Sequence, residues 1–285
     1  MKITAAVLAV ASLSASAFAG PVECYQAAKD LTSFPPLLCA GAASAAPADC
    51  FSAAKGLTAY PALLCSGAAS NAPLDCFAAA KDLTIFPALL CARAASAAPA
   101  ECYAAAKGVT GYPALLCSGA ASNAPVDCFK KADDGKITNW PALLCAGAVS
   151  AAPLDCFAAA KGLTDYPALL CAGARSNAPV DCFKAAKGLT DYPALLCSGA
   201  VDDAPLACLK ASAGVTQNPA VLCSPNGALK AITRHDIHPS YNLPYPFRFP
   251  NPYSFVFPFP DPNRDPSKPA PGTNPAPAAD VFKGI

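Results

Sequence analysis

The sequence predicts an all-α fold, a right-handed-type αα-hairpin solenoid, and three observations carry that reading. Sixteen cysteines alternate separations of 15 and 11 residues, with one of 17, so a 26-residue unit recurs eight times across residues 20–227. Each unit holds two short runs bounded by helix-start and helix-stop residues, and none alternates apolar with polar residues as a strand would. A period between about 20 and 50 residues marks a stacked array, in which every unit buries its apolar side on its neighbours.

The unit from Ala178 to Ala200 shows each element in order. Pro179 is preorganised for a first helical position, and Asp181 places a carboxylate in the first turn against the positive helix end. Cys182, Phe183, Ala185 and Ala186 follow, and Lys187-Gly188 supplies the cation and glycine of a helix stop. The second helix starts either at Thr190, as a capping residue, or at Pro193. Tyr192 precedes a proline and is biased to extended backbone, which favours Pro193. Tyr192, Leu195, Leu196 and Gly199 then keep i, i+3, i+4, i+7 spacing. Helices of about 8–10 residues are marginal alone. Eight stacked pairs with helices about 8–10 Å apart imply a rod or arc of about 70–80 Å.

Two units depart from the pattern. The fifth carries a two-residue insertion, Asp133-Asp134-Gly135-Lys136. It resembles the middle of a calcium loop, but Lys130, Ala132 and Pro141 fall where ligands belong, so a longer helix-to-helix turn is expected. The eighth has Ala207, Leu209, Ala213 and Asn218 at otherwise acidic, aromatic, lysine and aromatic positions, as a unit capping the exposed end of a stack would.

An even number of cysteines in an exported chain argues for disulfides, and neither spacing matches the close ligand pairs of structural zinc. Pairing within each unit uses all sixteen: Cys24–Cys39, Cys50–Cys65, Cys76–Cys91, Cys102–Cys117, Cys128–Cys145, Cys156–Cys171, Cys182–Cys197 and Cys208–Cys223. Pairing across the 11-residue gaps would link successive units and orphan Cys24 and Cys223. Both schemes are regular. The first also joins the near ends of a helical hairpin.

Composition narrows the class of job. The chain has 67 alanines and 31 prolines among 285 residues, with 20 Lys+Arg against 19 Asp+Glu. That balance speaks against a nucleic-acid partner. No nucleophile elbow, phosphate loop, dinucleotide fingerprint or zinc-protease motif is present, so no catalytic residue, metal or cofactor is assigned and no enzyme is expected. His235 and His238 read as part of a linker.

Export is read from the N-terminus. Lys2, an apolar stretch to about Ala17, and Ala17-Phe18-Ala19 form a secretory signal peptide over residues 1–19. No later run approaches a transmembrane segment, because Pro, Lys or Asp interrupts each one. The expected place is extracellular, or periplasm or cell surface in a bacterium. Residues 228–285 read as a linker and a Pro/aromatic-rich tail, extended or disordered, with thirteen of the prolines and runs such as Phe255-Val256-Phe257-Pro258-Phe259-Pro260.

Aligning the units produces columns. An aromatic follows the first cysteine (Tyr25, Phe51, Phe77, Tyr103, Phe129, Phe157, Phe183), and packing between units explains it. A second aromatic precedes the inner proline (Phe34, Tyr60, Phe86, Tyr112, Trp140, Tyr166, Tyr192) and is the more exposed expectation. Tyr60, Tyr112, Trp140, Tyr166 and Tyr192 are therefore the candidate ligand-facing residues. Threonine recurs at Thr32, Thr58, Thr84, Thr110, Thr138, Thr164, Thr190 and Thr216, as a helix cap would. Acidic and lysine columns sit at opposite ends of the first helix, as the helix dipole favours. The expected function is a secreted, non-enzymatic repeat scaffold for a protein or glycan partner. The alternative is a structural, coat or adhesive protein that self-associates through its repeats and aromatic tail.

Overall fold

The computed structural model describes residues 19–226. The leader before residue 19, the tail, His235 and His238 lie outside the described residues. Within them the chain is helical, with no strand, and sixteen helices alternate in two sets. The first set is α1 (Ala19–Ala28), α3 (Ala46–Ala54), α5 (Ala72–Ala80), α7 (Ala98–Ala106), α9 (Ala124–Asp134), α11 (Ala152–Ala160), α13 (Ala178–Ala186) and α15 (Ala204–Ala211). The second is α2 (Pro35–Leu38), α4 (Pro61–Leu64), α6 (Pro87–Leu90), α8 (Pro113–Leu116), α10 (Pro141–Leu144), α12 (Pro167–Leu170), α14 (Pro193–Leu196) and α16 (Pro219–Cys223).

The short helices correct the expected length of 8–10 residues. Proline fixes each start, because the residue before it is held out of the helical region: Tyr60 has φ −127°, ψ 52° and Tyr192 φ −127°, ψ 50°. Gly67 and Gly199, at φ +60° and +69°, then end their runs six residues after Pro61 and Pro193. A single turn is all that fits. Threonine does not cap these helices, and none shows a side-chain cap bond. Each threonine hydroxyl instead accepts the N–H of the residue two positions on, an aromatic in seven units and Asn218 in the eighth, as from Tyr60 to Thr58 at 3.1 Å and Trp140 to Thr138 at 3.2 Å. The column builds the turn before the helix. The insertion in the fifth unit lengthens a helix rather than a turn, since α9 has eleven residues where α11 and α13 have nine.

All eight disulfides join cysteines within one unit, 15 residues apart except for the 17 of Cys128–Cys145, with Cα atoms 5.5–5.7 Å apart. Around them the core repeats. Leu38, Leu64, Leu90, Leu116, Leu144, Leu170, Leu196 and Leu222 are fully buried. Opposite them, Ala54, Ala80, Ala106, Ala132, Ala160 and Ala186 are equally buried on the long helices. A side chain of one carbon lets the two helix sets approach closely, which is why the composition is so rich in alanine.

The array closes on itself. Each short helix packs on the next, and α16 packs on α2; each long helix packs on the next, and α15 packs on α1. The hydrogen bonds give the same result. Gly67 N–H donates to Leu38 O of the preceding unit at 2.9 Å, and Gly147 N–H to Leu116 O at 3.0 Å. Gly41 N–H in the first unit donates to Leu222 O in the last at 3.1 Å. The described units therefore form a ring, not the rod or arc expected, and unit eight meets unit one rather than capping a free end. The physical cause is a wedge: nine-residue helices outside and one-turn helices inside turn each unit by about 45°, one eighth of a circle. Serines tighten some inner contacts, with Ser66, Ser118 and Ser198 hydroxyls donating to Leu37, Leu89 and Leu169 carbonyls at 2.6–2.8 Å.

Candidate functional site

The two kinds of turn place two different surfaces on opposite faces of the ring. On the first face, six of the eight long helices end at lysine, and a short turn leads to the inner proline, preceded by an aromatic in seven units. The geometry follows from local sequence: Gly188 takes φ +87° to leave α13, Thr190 holds the Tyr192 N–H, and Pro193 begins α14. The apolar residue just before the threonine is left exposed in five units. Leu57 and Leu189 are each 56% exposed, and Leu31, Leu83 and Leu163 are exposed in the same column. Ile85, beside Phe86, is 83% exposed.

The five candidate ligand-facing residues all lie in this turn. Tyr60, Trp140 and Tyr166 are exposed, at 39%, 36% and 42%. Tyr112 and Tyr192 are half-buried. The other aromatic column is more enclosed, with Phe51, Phe129, Phe157 and Phe183 buried. Sequence reasoning missed the leucine column on the aromatic face. Its signal was an apolar residue repeated just before the threonine in a turn, where apolar side chains have little burial to gain.

The opposite face carries the turns from short to long helix, and there the chain comes nearest the ring axis. A glycine in left-handed backbone occupies this position in six units: Gly41, Gly67, Gly119, Gly147, Gly173 and Gly199. The requirement is steric as well as conformational. A Cβ at Gly67 would stand 2.6 Å from Ala40 O, and one at Gly173 would stand 2.8 Å from Ala146 O. Pro225 takes the position in unit eight and Arg93 in unit three, the latter at φ +61°. Neither continues the series of N–H bonds to the preceding leucine carbonyl.

Arg93 reaches from its own unit to the residue after Pro225. Its Nη1 donates to Asn226 Oδ1 at 2.8 Å, while Asn226 Nδ2 donates to Ala172 O at 2.7 Å and to Ser198 Oγ at 3.5 Å. Asn226 thus ties units three, six and seven together. Burial, and then the like charge of Arg175, hold the Arg93 guanidinium below its ordinary value. Among the described residues the one ion pair is Lys184–Asp181, so neither arginine has a carboxylate partner. Sequence reasoning missed this cluster too, although Arg93 breaks a glycine column. No family model, curated protein or solved structure matches the chain.

Proposed function

We propose that the ring is an extracellular, non-enzymatic scaffold that holds a protein partner on its aromatic face. The observation that carries this reading is the repeated exposure of apolar side chains at one turn, with Leu57, Leu189 and Ile85 beside Tyr60, Trp140 and Tyr166. Contiguous apolar surface on an otherwise polar exterior marks interaction sites. Exposed aliphatic tips among the aromatics favour a protein over a glycan, because sugars stack on flat ring faces and gain little from leucine. Lysines at the ends of the long helices rim this face, among them Lys55, Lys81, Lys107, Lys161 and Lys187. Asp30, Asp82, Asp133, Asp134, Asp165 and Asp191 stand in the same turns, so the partner surface that fits is apolar with a border of both charges. Eight disulfides suit an oxidising compartment, and the leader read from the sequence supplies the route.

The test is capture from the native extracellular medium by the oxidised protein, beside a variant carrying Leu57→Ser, Tyr166→Ser and Leu189→Ser. The reading expects a protein retained by the wild type and lost from the variant. Retention of the same protein by both would end it. Binding to a glycan array that is abolished by Tyr166→Ser but not by Leu189→Ser would favour a glycan instead.

A second reading, stacking of rings into a column, is favoured by one observation. Asp75, Glu101, Asp127, Asp155 and Asp181 lie in first turns of the long helices, while lysines follow their last turns. A second copy stacked head to tail would bring these carboxylates to lysines that stand among aspartates on the other face. Light scattering at low and high salt separates the readings: a salt-sensitive multimer supports stacking, and a monomer throughout excludes it.

A further inference from the structure

We propose that the aromatic face pairs with the same face of a second copy of this chain, so that two rings close face to face as a dimer. The proposal rests on the reading that this face binds protein, and it names the partner.

The first argument is how the exposed apolar side chains are distributed around the ring. Leu31, Leu57, Tyr60, Leu83 and Ile85 lie in the turns of units one to three. Trp140, Leu163, Tyr166 and Leu189 lie in those of units five to seven. Among the described residues, units four and eight expose no large apolar side chain in this turn: Val109, Tyr112 and Val215 are half-buried, and Asn218 replaces the aromatic. The face thus carries two apolar lobes, centred on units two and six. These stand half a turn apart, because the array of eight units is closed. A partner that covers both lobes needs two apolar lobes at the same separation, and this face has that pattern itself. Turning a copy over about the diameter through units four and eight lays each lobe on the other. Turning it about the diameter through units two and six lays each lobe on its own counterpart. An isologous contact of this kind uses one patch twice and closes at two chains.

Charge is the second argument. Both signs recur at the ends of the long helices, in Lys29-Asp30, in Lys81-Asp82, and in Asp133 and Asp134 at the end of α9. A rim of one sign would repel its own copy, whereas this one meets its opposite. The first way of turning brings Asp30 to Lys187 and Lys81 to the end of α9; the second brings Asp30 to Lys81 and Lys187 to the end of α9. The ion pair formed within the ring, Lys184–Asp181, uses none of these groups. Lys55 and Lys161 meet lysines either way, but Lys55 folds back over the Phe51 ring, 5.5 Å from its centre, and Lys161 has Asp165 in the same turn. Size agrees as well. The nine apolar side chains expose on the order of 800 Å² per copy, about one side of a stable interface of standard size.

The test is sedimentation of the full oxidised chain over a range of concentrations, with acrylamide quenching of Trp140, the sole tryptophan, on the same samples. The proposal expects a reversible dimer that stops at two chains and outlasts high salt. Trp140 is then quenched in the dilute monomer and shielded as the dimer forms. Leu57→Ser together with Leu189→Ser, both at exposed positions, raises the dissociation constant at least about tenfold. Two further variants read the charges: one carries Lys29→Glu, Lys81→Glu and Lys187→Glu, the other Asp30→Lys, Asp82→Lys and Asp134→Lys. Each is expected to pair with itself at least about tenfold more weakly than the wild type, and the two to pair with each other, which also shows that both fold. A wild type that is monomeric at every concentration overturns the proposal. So does a dimer undiminished by the two serines, undiminished self-pairing of both charge variants, or an assembly that lengthens with concentration as a head-to-tail column would. A monomer that still captures a protein from the medium through Leu57, Tyr166 and Leu189 removes the second copy and leaves the protein-binding reading standing. A monomer that captures none ends both.

Discussion

Replacing Gly41 by alanine tests whether units one and eight truly meet. Gly41 stands at φ +61°, and a Cβ built on it would lie 2.8 Å from Pro225 Cα, 3.1 Å from Pro225 O and 3.2 Å from Ser224 O. All three atoms belong to the far end of the array. Gly56 is the control: it has φ +81°, and a Cβ there meets nothing within 4 Å. Both substitutions bear the left-handed penalty of an L-residue, about 1–2 kcal/mol. Only Gly41→Ala adds the overlap with backbone across the seam, which costs about 1–3 kcal/mol more because backbone atoms cannot rotate aside as a side chain can. At about 2–4 °C per kcal/mol for a domain of this size, the two variants should separate clearly in calorimetric unfolding. The added cost appears only if the ring is shut. Equal destabilisation by Gly41→Ala and Gly56→Ala would refute closure.

The remaining predictions concern the core, the staples, the exposed aromatic and the axial charge. Leu144→Ala removes a fully buried side chain and should cost about 2–5 kcal/mol, whereas Leu57→Ala at the exposed column should stay within about 0.5 kcal/mol; chemical denaturation checks both. Joint removal of Cys102 and Cys117 should lower stability by about 3 kcal/mol, while a non-reducing peptide map still shows seven disulfides within units. Trp140, about one third exposed, should be quenched by acrylamide in the folded protein, and a protected indole would contradict its place at the turn. Because Arg93 is held below its ordinary value, the folded ring binds that proton less tightly than the unfolded chain does. Its charge therefore opposes folding throughout the pH range below the folded value, neutral pH included.

The units were legible in the sequence because their signals are local. Pro179 and Lys187-Gly188 bound α13 in the structure as they do on paper, and the pairing of Cys182 with Cys197 follows from the closeness of hairpin ends. The length of the inner helix was also written there, in the five residues between Pro193 and Gly199, although the leucine spacing also fits a longer helix. Closure was not legible. It depends on the angle between successive units, set by how closely a short helix such as α10 packs on α9 and α11, and a period carries no angle. The axial cluster shared that fate: Arg93 and Asn226 are 133 residues apart and meet only because the ring closes.

Hydrogen exchange at the Gly41 amide is the most direct test of the ring. That N–H bonds Leu222 O at 3.1 Å across the seam, as Gly67 and Gly147 bond Leu38 and Leu116 within the array. The ring predicts that Gly41 exchanges as slowly as Gly67 and Gly147, since all three must break the same kind of inter-unit contact. An open array predicts a Gly41 amide exchanging orders of magnitude faster while the other two stay protected, and that result would contradict the structure described here.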